Sequence, residues 1–342
     1  GGVIMNILTA IVIYAFVLMI WGDKRTPIAS VKNGIWVTDS VMYKLGFRNG
    51  DKVITVNGDT IHYFEEIQPK VLIGGESVTL DRNGQKVELK VPIDIINQLI
   101  TRRDKRRALI MQRIPTIVGE YDKKDTAYGK QAGLKTWDRI VAVNDQPVQF
   151  MDEINTLAAA HKKGSVQITV LRGTDTLRLT NKVNEDGRLE LTTLTMEQYD
   201  SLGAFKIETR KYGFFAAFPA AIRKSGQKLQ GYIDQFKLIL NPKTGAYKGV
   251  GGFKSIGSVF PVPWDWEAFW NITAFLSIIL AFMNLLPIPA LDGGHVLFTL
   301  WEMITGRKPN EKFLEYAQLV GMVILIALML YANGNDWFGW GR

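Results

Sequence analysis

Charged residues are spread unevenly along this chain. Residues 3–21, 270–291 and 316–335 contain no Asp, Glu, Lys or Arg, and each run is about the length an α-helix needs to cross the apolar core of a bilayer. Membrane helices are therefore predicted over 3–21, 270–291 and 314–333. The first run lacks a basic leader and exceeds the usual length of a secretory signal core, so it reads as a span rather than a signal peptide. The chain opens on Gly1-Gly2 without an initiating Met, and the expectation is that a preceding segment has been lost.

Between the first two spans the pattern changes to short alternating runs broken by turn residues, and it repeats. Residues 44–61 (KLGFRNGDKVITVNGDTI) match residues 131–148 (QAGLKTWDRIVAVNDQPV) at an offset of 87, a domain-sized period. In each copy a glycine (Gly46, Gly133) ends a short helical stretch and an aspartate (Asp51, Asp138) opens a strand. Asn57-Gly58 and Asn144-Asp145 then supply a tight turn in which positive φ is cheap. Helix starts are predicted at 64–67 and 151–154, and further strand pairs at 77–91 and 165–179. This signature resembles the bacterial type of PDZ domain, with Trp137 standing in the second copy where the pattern expects glycine. The resemblance implies two tandem PDZ-like modules, 27–110 and 111–205, of α+β or barrel-like build. PDZ modules take extended peptides by adding a strand to a sheet edge, so peptide ligands are expected.

Residues 214–240 carry apolar positions Phe218, Ile222, Leu229, Ile233, Phe236 and Leu240 on a basic background of Arg223, Lys224, Lys228 and Lys237. That spacing predicts one or two amphipathic helices, suited either to an anionic membrane surface or to packing on neighbours. A Gly-rich loop follows at 249–257, and the region 210–260 is expected to lie at the membrane surface.

Composition narrows the chemistry. There is no Cys, which removes disulfides, thiolate zinc sites and cysteine nucleophiles together. The net charge of +8 (41 basic against 33 acidic residues) comes with no nucleic-acid recognition motif, and a lipid bilayer is the simpler partner for the basic residues. Nucleic acid is not expected as a partner.

The richest stretch is Asn284-x-x-Pro287-x-Pro289-x-Leu291-Asp292-Gly293-Gly294-His295 at the end of the second span. Two prolines interrupt the helix, and two glycines allow a close turn. Asp292 is an ionisable group in apolar surroundings, which is costly without a partner. A metal ion would neutralise it; a helix-capping role is the plainer alternative. His295 beside it reads as a supporting group around such a site rather than a ligand. His62 and His161 fall in the soluble modules as turn or surface residues.

That motif, the span opening Gly2-x-x-x-Asn6 and the tandem PDZ-like modules together resemble the site-2 protease family of intramembrane zinc metalloproteases, in its RseP-type branch, over essentially the whole chain. The resemblance implies a multi-domain membrane protein with a helical transmembrane core. It implies Asp292 as a ligand of Zn2+, and Asn6, Asn284 and Pro287 as residues that hold the backbone of a transmembrane protein or peptide substrate. It also implies two histidines and a catalytic glutamate from His-Glu-x-x-His, which this sequence does not contain; the chain alone is then expected to be inactive. The implied substrates are single-span proteins such as anti-sigma factors, or remnant signal peptides. Arg307, Lys308 and Lys312 against Glu311 favour a cytoplasmic 306–312 loop, which places the modules on the extracytoplasmic side of a bacterial inner membrane. The alternative is a non-catalytic membrane scaffold that binds partners through its PDZ-like modules.

Overall fold

The computed structural model describes residues 1–340 except 103–107, 123–125, 262–263 and 308–309. The chain divides into two compact units. One is helical and comprises Gly1–Lys24, Pro92–Arg103 and Thr209–Arg342; the other is β-rich and comprises Arg25–Val91 and Asp104–Glu208. The interval 27–110 assigned above to the first module thus includes a stretch, Pro92–Arg103, that belongs with the helices.

The β-rich unit repeats one small architecture. Strands β1 (Lys52–Val56), β2 (Asp59–Thr60), β3 (Ser77–Arg82) and β4 (Gln85–Lys90) form an antiparallel sheet in the order β2-β1-β3-β4. Strands β5 (Arg139–Val143), β6 (Gln146–Pro147), β7 (Ser165–Arg172) and β8 (Asp175–Lys182) repeat it as β6-β5-β7-β8. Both hairpin turns adopt the left-handed conformation their residues favour, with φ of 54° and 82° at Asn57 and Gly58, and 47° and 61° at Asn144 and Asp145. Strict alternation fails in β1 and β5. Val53 with Val56, and Ile140 with Val143, are the buried pairs, because a register shift lies in each ladder, between Val53 and Thr55 in one and Thr169 and Val170 in the other.

An aspartate anchors each copy. Asp51 accepts from Arg82 at 2.7 and 2.8 Å and from the Arg48 amide at 2.7 Å, while Arg82 also donates to the Gly46 carbonyl. Asp138 repeats this with Arg172 at 2.8 and 2.7 Å, the Lys135 amide at 2.8 Å and the Gly133 carbonyl. These bonds push both guanidinium pKa values further up. Just before the aspartate, Gly50 has φ 88° and Trp137 has φ 73°, so the tryptophan occupies a backbone region that disfavours a side chain.

The two modules are tied by a short strand pair and an arginine. Ile35–Val37 pairs antiparallel with Ile110–Gln112, and the next residue, Arg113, donates its amide to Gly34 and its guanidinium to Asp152 and Glu153, lying 4.0 Å over the Phe150 ring. A cleft of about 460 Å³ opens beside this junction, lined by Trp36 and Met111 on one side and Met151, Asn155, Asn184 and Arg188 on the other. Tyr199, whose phenol is pushed up to about 12 by burial, packs on Phe205 and closes the end of the unit.

In the helical unit, α1 (Gly2–Ile20), α2 (Phe214–Leu240) and α3 (Trp266–Leu285) pack together, followed by α4 (Asp292–Thr305) and α5 (Glu311–Phe338). Their shared core is rich in small residues: Ala10, Ala15, Ala217, Ala220, Ala221 and Ala274 surround Tyr14, Leu18 and Ile278. Small side chains let helices approach closely where lipid removes the hydrophobic drive for association. The helices α1 and α3 run antiparallel. Lys24, past the end of α1, meets Glu267 at the start of α3 at 3.1 Å, and Ser277, nearer the end of α3, donates to the Asn6 carbonyl near the start of α1 at 2.8 Å. Helix α2 is one continuous element whose Tyr232 and Phe236 meet Phe275 and Phe282 of α3 edge to face.

Among the described residues, three helices, α1, α3 and α5, are long and apolar enough to cross a membrane. Most apolar side chains of α5 are exposed. Its last turns hold the Gly-rich loop: Asp336 accepts from the amides of Gly252 and Ser255 and from the Ser255 hydroxyl, and Asn335 donates to the carbonyls of Lys248 and Val250.

Candidate active site

The span predicted over 270–291 is a helix only as far as Leu285. Pro287 and Pro289 cannot donate to a continuing ladder, so the chain leaves the helix. It turns through hydrogen bonds from Ile288 to Leu286 at 2.7 Å and from Leu291 to Ile288 at 3.0 Å, with Ala290 held at φ 95°. A non-glycine residue at that φ is strained, and strain of this kind persists only where the surroundings enforce it. Helix α4 then starts at Asp292.

Gly293 and Gly294 are required by close approach rather than by an unusual φ. A Cβ on Gly293 would strike the carbonyls of Leu286 and Leu285, and one on Gly294 would come within 2.7 Å of the Ile288 carbonyl and the Pro289 Cα. Gly321 of α5 packs its bare backbone against the Pro289 carbonyl. Three glycines thus let two helices press on one proline turn and fix where Asp292 sits.

Asp292 is the first residue of α4, and among the described residues its side chain accepts no bond from its own helix. Its Oδ2 instead accepts the Gly2 amide of α1 at 3.2 Å. The first turns of two helices, α1 and α4, therefore meet at this carboxylate. The side chain is 47% exposed, and Oδ1 has no hydrogen-bond donor among the described residues.

The other residues singled out in the sequence gather unequally around this point. Asn6 lies one helical turn beyond Gly2 on the same face of α1, roughly 6 Å along the axis. Asn284 lies two turns beyond Ser277 on α3, whose hydroxyl bonds the Asn6 carbonyl. Both asparagines are half-buried, and neither amide side chain hydrogen-bonds a described residue. Pro287 is exposed at the turn. His295 is exposed on the first turn of α4, where its carbonyl accepts from Thr299 and its ring bonds no described residue. His62 and His161 belong to the β-rich unit, the latter 3.1 Å from the Asn144 amide. The enforced turn at Ala290 and the Gly2 contact carried no signal in the sequence reading; the small residue at position 2, opposite a carboxylate, is the only trace of the latter.

A catalytic zinc site needs three protein ligands and an open position. Among the described residues no three His, Cys, Asp or Glu side chains come together to hold an ion. With no donor on its Oδ1 among the described residues, Asp292 fits a single carboxylate ligand, and the described residues fit one corner of a zinc site.

These features define a membrane protein built around a carboxylate at a broken helix. The chain belongs to peptidase family M50, whose model matches residues 1–328. It is similar to a protein of Vibrio cholerae described as "Putative zinc metalloprotease", 24% identical over 359 residues that cover 98% of this chain and 76% of the relative. A Campylobacter jejuni protein of the same description is 57% identical over 65 residues, 19% of this chain and 18% of that one. The "Regulator of sigma E protease" of Haemophilus influenzae is 29% identical over 224 residues, 60% of this chain and 46% of that protein.

Proposed function

We propose that this chain is the greater part of a zinc-dependent intramembrane endopeptidase of the site-2 type, which cuts single-span membrane proteins such as an anti-sigma factor or a remnant signal peptide. The observation that carries the reading is the Asp292 carboxylate, held by one oxygen to the Gly2 amide and with no donor to its other oxygen among the described residues. Asp292 supplies one ligand of the metal; the two histidines and the general base come from a His-Glu-x-x-His segment outside this sequence. Zinc, when bound, polarises the scissile carbonyl and acidifies the attacking water.

The chain's own residues handle the substrate backbone. A transmembrane helix has every amide paired within itself, so it must unwind before a peptide bond is exposed. Asn6 and Asn284 carry amide side chains with no partner among the described residues, and each pairs with the donors and acceptors that unwinding releases. Pro287, exposed at the turn that ends α3, faces the extended substrate strand beside the metal site. His295 supports the metal site from the first turn of α4.

The two modules act as PDZ-like docking units for extended peptides, which is consistent with the cleft beside Arg113 and with the exposed sheet edges at β2, β4, β6 and β8. With the basic 306–312 loop in the cytoplasm, they lie outside the bacterial inner membrane. The test is made on the full-length protein, by metal analysis and by cleavage of a single-span substrate. About one zinc per chain is expected, with Asp292→Asn lowering cleavage by at least ~1,000-fold while the fold is kept. Wild-type cleavage by Asp292→Asn, or a metal-free protein that still cleaves, would remove Asp292 from the reaction; no zinc and no cleavage in the wild type would leave a scaffold.

A further inference from the structure

An apolar groove of about 210 Å³ lies between α1, α2 and α3. Its walls include Val3, Ile7, Phe282 and Leu285, with Ser225 and Gly226 contributed by α2. Ser225 is its one polar side chain. It is only 7% exposed, and its hydroxyl has no hydrogen-bond partner among the described residues, although the carbonyl one turn back in its own helix is the usual acceptor for a helical serine. A buried hydroxyl left unpaired is costly and calls for an explanation. Gly226 beside it has no heavy atom within 4 Å of where a Cβ would stand, so the space continues past it.

The position of the groove says what fills it. Val3 follows Gly2, whose amide holds Asp292, and Leu285 follows Asn284, so one end of the groove adjoins the candidate site. An apolar cavity of roughly 150 Å³ accepts a benzene ring, so the volume suits one aromatic or branched aliphatic side chain and is too small for a helix roughly 10 Å across.

We propose that this groove is the seat for one large apolar side chain of the substrate next to the bond that is cut, and that the Ser225 hydroxyl donates to a substrate carbonyl set free by unwinding. This rests on the peptidase reading above. Apolar walls alone would not distinguish a transmembrane substrate from lipid, because both are hydrocarbon. An unpaired donor does distinguish them, since unwound peptide in a bilayer offers unpaired carbonyls and an acyl chain offers none.

The experiment uses the full-length enzyme in phospholipid vesicles and a single-span Ala/Leu model peptide in which one Phe is moved through the sites around the cleaved bond. Wild type is expected to cut the peptide with Phe at one particular position about tenfold faster than its Ala counterpart. Gly226→Leu, which projects a side chain into the open space, should bring that ratio close to one. Ser225→Ala should slow the Phe peptide about fivefold without changing the melting temperature. Asp292→Asn serves as the separating control. If wild type cuts neither peptide, or if Asp292→Asn cuts both at the wild-type rate, the peptidase reading itself falls. If cleavage depends on Asp292 but the Phe to Ala ratio is the same in wild type and Gly226→Leu, only the groove proposal falls. A Gly226→Leu protein that loses a tightly held phospholipid while keeping the ratio would make the groove a lipid seat and overturn the proposal.

Discussion

Asp51 and Asp138 in the β-rich unit and Asp292 in the helical unit are all held aspartates, and they are held in opposite ways. Asp51 and Asp138 are 0% and 1% exposed, each gripped by a two-pronged arginine and a backbone amide. Both oxygens are engaged, and the carboxylate is a strut. Asp292 accepts one backbone amide, keeps one oxygen unpaired and stays half-exposed at the meeting of two helix N-termini. A carboxylate spent on structure is engaged on both oxygens by its neighbours, whereas Asp292, in the role proposed for it, is oriented by few bonds and keeps an oxygen for a ligand. The contrast separates the roles of residues that a sequence writes with the same letter.

The contrast can be broken most forcefully at the struts. Arg82→Ala leaves the Asp51 carboxylate buried without its cation and should destabilise the β-rich unit by about 3 kcal/mol, with Arg172→Ala doing the same in the second copy. Hydrogen exchange on the intact protein would show protection lost across β1 and β3, or β5 and β7; unchanged protection would mean the pair is not a strut. Gly293→Ala comes next. Its Cβ meets carbonyls that cannot move aside, so a loss of about 2 kcal/mol and a large fall in cleavage are expected together, read from melting in detergent and from substrate turnover. If stability falls while cleavage holds, Asp292 is less tightly positioned than the glycines imply.

The smallest effect compares the two repeats with each other. Trp137 is 52% exposed and sits at positive φ where the first copy has Gly50. Trp137→Gly relieves the strained backbone but gives the unfolded chain more freedom, so a gain of about 0.5 kcal/mol is expected. A clear loss would show that the indole makes a contact worth more than the strain.

Much of the β-rich unit was legible because its signals are local. Asn-Gly and Asn-Asp turns, alternating strands and the 87-residue offset all act between near neighbours, and the strands lie where the pattern placed them. The arginines that grip Asp51 and Asp138 went unnoticed, since they come 31 and 34 residues later inside strands whose pattern is about burial. The bulges that replace strict alternation, and the departure of Pro92–Arg103 to the helical unit, also left no mark. There, Asn97 and Ile100 press on Gly245 and Gly249, contacts that no local period announces.

The candidate site divides along the same line. Its prolines, its glycines and the isolated aspartate could be read directly, because helix breaking and the cost of a charge in hydrocarbon depend only on residue type and position. The sequence by itself determined three apolar helices, a repeated β module and a carboxylate at a break in a helix. Tertiary structure alone decided that Gly2, 290 residues away, would pin that carboxylate, that glycines on two helices would clamp the proline turn, and that Ser225 would be buried with nothing to bond. Such contacts join groups whose separation along the chain is arbitrary, and only folding, which sets distance in space, can bring them together.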